Sequence, residues 1–195
     1  VKLLFEKRVI NMRCLQKGLV IWLTGLSGSG KTTISNIVKD LIKKDGIRVE
    51  ILDGDWFRQN IDPEAGFTKE ERRKHLIRVA NVAKLLARNG IVTICSFVSP
   101  YEDVRNEIKN IIREEAKFFL IYTKCEIEEC IKRDPKGLYK KALKGEIKNF
   151  TGINDPYDEP KEYDLLLDTV RNSIEYNVEK LYSFIKEKIN EIEKA

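Results

Sequence analysis

Two short stretches of the sequence carry residues that could act on a phosphate group. The first, Gly25 to Thr32, reads GLSGSGKT and matches the pattern G-x-x-x-x-G-K-[ST]. Glycines let the backbone turn so that its N–H groups face phosphate oxygens, at the positive end of the helix that follows. In this pattern Lys31 reaches the outer phosphates and the hydroxyl of Thr32 coordinates Mg²⁺. The stretch therefore predicts a site for a nucleoside triphosphate with Mg²⁺.

The second stretch, ILDGDWFRQN over residues 51–60, places two acids directly after an apolar run. Asp53 and Asp55 are separated only by Gly54. On an extended strand, residues two apart point to the same side, so we expect both carboxylates on one side of the chain. Acids in this position could hold a metal or take the proton of a hydroxyl group. A solvated turn is the alternative interpretation of the same residues.

The elements that must position these residues alternate along the chain. Short apolar runs predict strands, and apolar residues at helical spacing predict helices between them. Strands are predicted at 18–23, 48–52, 91–97, 118–122 and 165–167, and helices at about 31–46, 69–89, 103–115, 127–132 and 173–189. This alternation predicts an α/β fold of the P-loop NTPase type, with three layers and a central, mainly parallel five-stranded sheet. Ligands on such sheets bind at the carboxyl ends of the strands, where both motifs fall.

The length of 195 residues favours one domain with a substantial core. We predict that this domain covers residues 18–195. We expect residues 1–17 to be an N-terminal extension, with Met12 as an alternative start. A basic, glycine-containing segment at about 134–156 is expected to be a mobile lid.

Charge and cysteine usage exclude several classes of function. The formal net charge of +5 suits a small anionic ligand, and no basic stripe indicates nucleic acid. The four cysteines form no C-x-x-C pair, and a single histidine leaves no zinc-site spacing. We therefore expect free thiols and a cytoplasmic location. No apolar run is long enough for a bilayer, so no membrane partner is expected. The cysteines are Cys14, Cys95, Cys125 and Cys130.

The rest of the chain separates the classes of protein that share the phosphate-binding motif. The guanine-specific pattern N/T-K-x-D is not matched after the fourth predicted strand, because Glu126 occupies the position of the Asp. Motor ATPases often carry an acid at the end of an apolar strand, but the third predicted strand ends at Ser96. The acids lie instead after the second strand. This arrangement favours a kinase, in which an acid takes the proton of an acceptor hydroxyl.

Basic and aromatic residues suggest what that acceptor is. Arginine side chains match phosphate and sulfate oxygens, an exposed phenylalanine can stack on a flat base, and basic lids often close over phosphates. Each of these residues is also compatible with a surface or packing role, as is the lone His75. The residues alone indicate a P-loop kinase for a small anionic acceptor with a flat part. The residues concerned are Arg58, Arg72, Arg78 and Phe67, with lysines 136, 140, 141, 144 and 148.

Several motifs together resemble the adenylyl-sulfate kinase family, from about Gly18 to the last helix. They read GLSGSGKTT, LDGD, GFT, SFVSPY, RDPKGLYKKALKGEIKNFTGI and DPYDEP. The resemblance implies transfer of the γ-phosphate of ATP to the 3′-hydroxyl of adenosine 5′-phosphosulfate, with Mg²⁺. It also implies a homodimer.

The resemblance further implies roles for individual residues. Asp55 would be the general base and Asp53 would lie on the Mg²⁺ side, although the reverse assignment stays open. Arg58 and Arg72 would hold the phosphosulfate, and Phe67 and Phe150 would enclose the adenine.

The implied sets are as follows. The catalytic set is Lys31, Asp53, Asp55 and Ser96, and the metal ligands are Thr32 and Asp53. The ATP site comprises Gly25, Leu26, Ser27, Gly28, Ser29, Gly30, Lys31, Thr32, Thr33 and Arg133. The acceptor site comprises Asp55, Arg58, Phe67, Arg72, His75, Ser96, Phe97, Lys136, Gly137, Leu138, Tyr139, Lys140 and Phe150.

Two residues depart from the family pattern, and both are expected on the acceptor side. Trp56 replaces the Asn of D-G-D-N, and His75 replaces an Asn of the following helix. A sister P-loop kinase for a different nucleotide-linked anion is therefore one alternative. A non-catalytic ATP-binding sensor or partner subunit is another, although such a protein would need no acidic pair.

Overall fold

The computed structural model describes Leu15 and residues 17–194. Apart from Leu15 and Lys17, the predicted N-terminal extension lies outside the described residues, as does Cys14. Nothing in the described part of the chain is both helical and apolar over a length that could cross a membrane. Cys95, Cys125 and Cys130 are buried free thiols, as the sequence predicts.

The strands and helices alternate in the predicted way. The strands are β1 (Leu19–Thr24), β2 (Val49–Asp53), β3 (Val92–Ser96), β4 (Lys117–Lys124) and β5 (Leu165–Asp168). The helices are α1 (Lys31–Lys44), α2 (Gly54–Asn60), α3 (Lys69–Arg88), α4 (Glu102–Arg113), α5 (Ile127–Arg133), α6 (Leu138–Leu143) and α7 (Ile174–Lys194).

These strands form one parallel sheet in the order β2-β3-β1-β4-β5. The central strand β1 is buried along its whole length. Its side chains alternate between two cores, with Ile21 and Leu23 facing α1 and α7 and Trp22 facing α3 and α4. Helices therefore cover both faces of the sheet, and the predicted three-layer α/β fold is confirmed.

The strand order brings the candidate chemical residues to one edge. Because β2, β3 and β1 are neighbours, the loop after β1 lies beside the ends of β2 and β3. The register pairs Asp53 with Ser96 and Ser96 with Leu23, immediately before the phosphate-binding loop. Residues separated by more than 60 positions in sequence thus share one end of the sheet.

The extended geometry predicted for Asp53 to Asp55 is wrong. The strand ends at Asp53, and Gly54 begins the short helix α2. Asp53 caps this helix, because its Oδ1 accepts a hydrogen bond from the backbone N–H of Asp55 at 3.0 Å. Aspartate is a favoured N-cap residue, which explains why the chain turns here. The two carboxylates therefore occupy the cap and the first turn of a helix.

The lid segment, residues 134–156, contains the helix α6. The carboxylate of Asp134 accepts hydrogen bonds from the backbone N–H groups of Tyr139 (3.1 Å) and Lys140 (3.0 Å). Gly137 precedes the helix with a φ of 65°, a conformation that favours glycine. The lid segment therefore has local structure of its own.

Candidate active site

The phosphate-binding loop joins β1 to α1 and depends on its glycines. Gly28 and Gly30 have φ angles of 75° and 94°, which side chains with a Cβ rarely adopt. Gly25 faces a different constraint, since a Cβ there would lie 2.4 Å from the carbonyl oxygen of Thr123. The loop ends at Gly30, the cap of α1, so the helix begins with free N–H groups directed at the loop.

Lys31 is buried within this loop. Its Nζ donates hydrogen bonds to the carbonyl oxygens of Gly25 and Leu26, both at 2.8 Å. Burial lowers the pKa of Lys31 to about 8, and the charge of Asp53 partly offsets this effect. An ammonium group held this way is close to the position where phosphate oxygens would meet the loop N–H groups.

Thr32 and Asp53 form an oxygen pair beside the loop. The hydroxyl of Thr32 donates to Asp53 Oδ2 at 2.9 Å, while the other carboxylate oxygen of Asp53 caps α2. Hydroxyl and carboxylate oxygens suit Mg²⁺, which usually takes only one or two protein ligands and completes its shell with phosphate and water. This donor set fits the predicted metal.

Asp55 occupies the first turn of α2 and is largely exposed, with 61% of its side chain accessible. It forms an ion pair with Lys136 of the lid segment. The lid segment thus reaches across to the acid on the opposite wall.

A cavity of about 700 Å³ connects the phosphate-binding loop, α2 and the lid segment, and is called the P-loop cavity below. Most of the predicted site residues line it. They are Ser27, Gly28, Gly30, Lys31, Thr32, Thr33, Asp53, Asp55, Arg58, Phe67, Arg72, His75, Ser96, Phe97, Lys136, Leu138 and Phe150.

Phe67 stands at the rim of this cavity between two arginines. Its ring is half exposed, and the guanidinium carbons of Arg58 and Arg72 lie 4.4 and 5.3 Å from its centroid. Arg58 donates to the carbonyl oxygen of Ala65 at 2.5 Å, and Arg72 donates to that of Phe67 at 2.9 Å. A second donor of Arg72 reaches the carbonyl oxygen of Asn149 in the lid segment at 2.5 Å. The arginines therefore fix the Phe67 loop as well as lining the cavity.

Ser96 is buried at the end of β3. Its Oγ lies 2.8 Å from the Oγ of Ser35 on α1. Phe97 follows and stacks on Trp22 with ring centroids 5.5 Å apart. These contacts place Ser96 and Phe97 on the floor of the P-loop cavity.

Some predicted residues do not line the cavity. Tyr139 is buried beneath the phosphate-binding loop, where its hydroxyl donates to the carbonyl oxygen of Ser27 at 3.0 Å. Arg133 donates to the carbonyl oxygen of Thr169 at 2.7 Å, close to the end of β5. Gly25, Leu26, Ser29, Gly137 and Lys140 are also outside the lining.

Trp56 differs from the expectation that it faces the acceptor. It is half exposed and does not belong to the cavity lining. It occupies the outer side of α2, whereas the buried Phe57 faces the core. The first departure from the family pattern is therefore a surface residue.

His75 is buried on α3, and its partner is a residue that the sequence did not single out. Its Nδ1 lies 2.8 Å from Oδ2 of Asp62, whose other oxygen accepts from Arg78 at 2.6 Å. The imidazole packs edge-on against Phe57, with centroids 5.5 Å apart. The only available signal for Asp62 was an acid beside Pro63 in the loop that precedes α3.

Comparison with known proteins gives one consistent result. The family model for adenylylsulphate kinase matches residues 17–168. A probable adenylyl-sulfate kinase of Aeropyrum pernix is 59% identical over 175 residues, which cover 89% of this chain and 96% of the relative. The adenylyl-sulfate kinase of Halothermothrix orenii is 46% identical over 173 residues, covering 89% and 92%.

A solved structure supports the same relationship. The structure of the Mycobacterium tuberculosis APS kinase CysC in complex with AMPPNP and APS superposes with a TM-score of 0.85 at 35% identity. The match covers 87% of this chain and 98% of that one.

Proposed function

The chain belongs to the adenylylsulphate kinase family, and from that premise we propose how its residues perform the reaction. The protein is an ATP-dependent kinase that converts adenosine 5′-phosphosulfate to 3′-phosphoadenosine 5′-phosphosulfate. The bond from the 3′-oxygen to the γ-phosphorus forms as the bond from that phosphorus to the β–γ bridging oxygen breaks. The 3′-hydroxyl proton must pass to a base, and ADP leaves.

On the donor side, the N–H groups of the phosphate-binding loop and Lys31 hold the phosphates of ATP. Lys31 is already positioned by hydrogen bonds to the carbonyl oxygens of Gly25 and Leu26. ATP binding would replace these two neutral hydrogen-bond acceptors by anionic phosphate oxygens. We place Arg133 near the ATP base, since it lies beside Thr169 at the end of β5. Thr32 and Asp53 would hold Mg²⁺, which when bound neutralises charge on the phosphates.

On the acceptor side, we assign the general base to Asp55 rather than Asp53. Both carboxylate oxygens of Asp53 have partners within the protein, Thr32 and the N–H of Asp55. Asp55 is exposed to the cavity, and its side-chain partner in the described structure is Lys136, which is itself half exposed. An acid that can exchange a lysine for a substrate hydroxyl suits proton transfer.

The aromatic and basic residues of the rim would hold the rest of the acceptor. Phe67 offers an exposed ring face for the adenine, and Phe150 would lie on its other side. Arg58 and Arg72 carry donors directed to the same loop and would attract the phosphosulfate. Ser96 lines the same cavity and would lie where donor and acceptor meet. Direct in-line transfer needs no covalent intermediate on its hydroxyl.

One observation carries this assignment: a single cavity is lined by the phosphate-binding loop, by Asp53 and Asp55, and by Phe67 with its two arginines. Trp56, one of the two residues that motivate a sister kinase, is outside this lining. We also propose that residues 18–195 act as one kinase domain, that two chains form a homodimer and that the enzyme is cytoplasmic. Light scattering after size-exclusion chromatography tests the dimer.

An ADP-release assay with Mg-ATP and a panel of acceptors tests the function. The panel is adenosine 5′-phosphosulfate, AMP and CMP, and Lys31→Ala protein controls for contaminating kinases. Saturable turnover on adenosine 5′-phosphosulfate alone is expected. Turnover only on another acceptor would indicate the sister kinase, and no acceptor-dependent ADP from folded protein would indicate the sensor.

A further inference from the structure

Two motifs of the sequence, SFVSPY over residues 96–101 and DPYDEP over residues 155–160, contact each other beside the P-loop cavity. Tyr101 ends the first motif and Asp155 begins the second. The hydroxyl of Tyr101 lies 2.7 Å from Oδ1 and 2.9 Å from Oδ2 of Asp155. Its single proton is therefore shared by both carboxylate oxygens. Neither residue belongs to the lining of the P-loop cavity, so the proposed function gives this contact no role.

The backbone around this contact is held by a separate set of hydrogen bonds. The N–H of Asp158 donates to the carbonyl oxygen of Pro100 at 2.8 Å. Arg105 is 3% exposed and donates to the carbonyl oxygens of Pro100 at 3.0 Å and Asp158 at 2.7 Å. On the lid side, the N–H of Gly152 donates to the carbonyl oxygen of Asp155 at 2.7 Å. The hydroxyl and the carboxylate therefore face each other from a fixed backbone.

Arg72 is the cation beside this carboxylate. Its Nε lies 3.9 Å from Oδ2 of Asp155, and only 11% and 13% of the two side chains are accessible. A direct charge-assisted hydrogen bond would measure about 2.7–2.9 Å. Nε donates instead to the carbonyl oxygen of Phe67, and Nη2 donates to that of Asn149. These hydrogen bonds leave Nη1 unused within the described residues, and Arg72 lines the P-loop cavity.

The protonation states explain why the carboxylate does not capture this arginine. Burial raises the pKa of Tyr101 to about 12, and its hydrogen bond to Asp155 adds to this effect, so the hydroxyl keeps its proton. Burial lowers the pKa of Arg72, and the charge of Asp155 opposes that effect. The other side-chain donor to the carboxylate, the hydroxyl of Thr151, is 3.4 Å away. Tyr101 is therefore the main donor that occupies Asp155.

We propose that Tyr101 is a positioning residue for acceptor binding, whose hydroxyl occupies Asp155 and so leaves the donors of Arg72 available to the anionic end of the acceptor. This inference rests on the proposed function, in which Arg72 attracts the phosphosulfate. Without the hydroxyl, the carboxylate would draw the guanidinium toward itself, because a buried carboxylate without a donor is costly. Asp155 thus stabilises the buried cation in the free enzyme and competes with the acceptor for it. Tyr101 limits that competition.

Tyr101→Phe removes the hydroxyl and keeps the ring. The Kd for adenosine 5′-phosphosulfate should rise about ten- to hundredfold, the usual effect of losing one hydrogen bond to a charged group. The Kd for the nucleotide donor should stay within about twofold, because the phosphate-binding loop is not involved. In steady-state kinetics, KM for the acceptor should rise much more than kcat falls. A purely structural Tyr101 would instead lower kcat without this selective change in KM.

Asp155→Asn should have the opposite effect on the acceptor. The amide keeps the size of the side chain and can still accept from Tyr101, but the negative charge beside Arg72 is lost. The buried guanidinium then lacks compensation, so the melting temperature of the free enzyme should fall. The anion of the acceptor meets less competition, and its Kd should decrease about two- to tenfold. A weaker affinity for the acceptor in Asp155→Asn would contradict the proposal.

The double variant Tyr101→Phe/Asp155→Asn separates repositioning of Arg72 from loss of folding. With the charge removed, nothing draws the guanidinium away, so the acceptor should bind within about threefold of the wild-type affinity. Lys69→Met is the matched control, because Lys69 contacts the face of the Tyr101 ring at 4.9 Å, and it should leave the affinity unchanged. A double variant as weak as Tyr101→Phe alone would overturn the proposal. If Tyr101→Phe does not fold, the sign of the change in Asp155→Asn decides.

Calorimetric titration without turnover measures these affinities. Adenosine 5′-phosphosulfate is titrated into each variant saturated with Mg²⁺ and AMPPNP, an ATP analogue that does not transfer its γ-phosphate. Wild-type protein that does not bind the acceptor would contradict the proposed function. Wild-type protein that binds it, together with Tyr101→Phe protein that binds it equally well, would contradict the role of Tyr101 alone.

Discussion

The donor and acceptor sides of the P-loop cavity are built in different ways. The donor side consists of backbone, in which Gly25, Gly28 and Gly30 shape one short loop around a buried Lys31. The acceptor side consists of side chains from α2, α3, the loop between these helices and the lid segment. Of its key members, Asp55 is largely exposed and Phe67 is half exposed. The first construction presents phosphate-binding groups before any ligand arrives. The second offers replaceable contacts, such as the Lys136–Asp55 pair, and can therefore determine which acceptor reacts.

The largest expected effect comes from the acidic pair, in which Asp55 belongs to the acceptor side and Asp53 to the donor side. Asp55→Asn removes the proposed base without changing side-chain size, and turnover should fall about 10²- to 10⁴-fold, as expected for loss of general base catalysis. The affinity for ATP should stay within about twofold, because the donor side is untouched. Lys31→Ala is the contrast, since it should weaken ATP binding as well as turnover.

Single-turnover kinetics with separate titration of ATP measure both quantities. Asp53→Asn serves as the matched variant and should impair Mg²⁺-dependent ATP binding. Normal turnover in Asp55→Asn would show that the proton leaves by another route. A normal Mg²⁺ dependence in Asp53→Asn would contradict its role on the metal side.

The second effect concerns the exposed ring of the acceptor side. Phe67→Ala removes the proposed stacking surface, and base–aromatic stacking contributes about 1–3 kcal/mol. KM for adenosine 5′-phosphosulfate should rise about five- to hundredfold, with little change in KM for ATP. Ile61→Ala changes another exposed apolar residue outside the cavity lining and is the control. An equal effect of the two substitutions would refute the stacking role.

The third effect follows from the buried lysine of the donor side. The pKa of Lys31, lowered to about 8 by burial, makes the free enzyme lose this charge above that pH. Bound phosphates favour the charged form, so ATP binding above pH 8 must take up a proton. The affinity for ATP should therefore decrease with rising pH, by at most about tenfold per unit.

Calorimetry in buffers of different ionisation enthalpy measures this proton uptake. Uptake should be small at pH 7 and should increase toward one proton per ATP as the pH approaches 9. Lys31→Ala protein should show none of this increase. An unchanged proton count in the wild-type enzyme across that range would contradict the buried position of Lys31.

The smallest effect concerns a residue that supports the donor side from beneath. Tyr139→Phe removes the hydrogen bond to the carbonyl oxygen of Ser27, which should lower the free energy of unfolding by about 0.5–1.5 kcal/mol. KM for both substrates should change by less than about twofold, as Tyr139 does not line the cavity. Thermal unfolding and steady-state kinetics check the two statements. A selective rise in KM for the acceptor would show that Tyr139 belongs to the acceptor site, as the family resemblance implies.

The two sides also differ in how well the sequence predicted them. The phosphate-binding loop is local, because its glycines, Lys31 and Thr32 lie within eight consecutive residues. Their pattern predicted the loop and its place between β1 and α1. The alternation of apolar runs likewise predicted all five strands of the sheet. Local sequence is sufficient where local backbone forms the structure.

The acceptor side was predicted less completely because it is assembled from distant residues. The helix α2 was missed, since LDGD gives an equally good turn signal, and Asp53 acts as its N-cap. Asp62 was missed because its partner His75 lies thirteen positions away. The exposure of Trp56 follows from its position on α2, and it could not be predicted because that helix was not predicted. The roles of individual acceptor-side residues stay predictions.

Identification of the product tests the central claim most directly. The enzyme is incubated with Mg-ATP and adenosine 5′-phosphosulfate, and the nucleotides are analysed by chromatography and ³¹P nuclear magnetic resonance. The account predicts one ADP for each new phosphomonoester and places that phosphate on the 3′-oxygen. ADP formed without a phosphorylated acceptor, or a phosphate on any other oxygen, would contradict it.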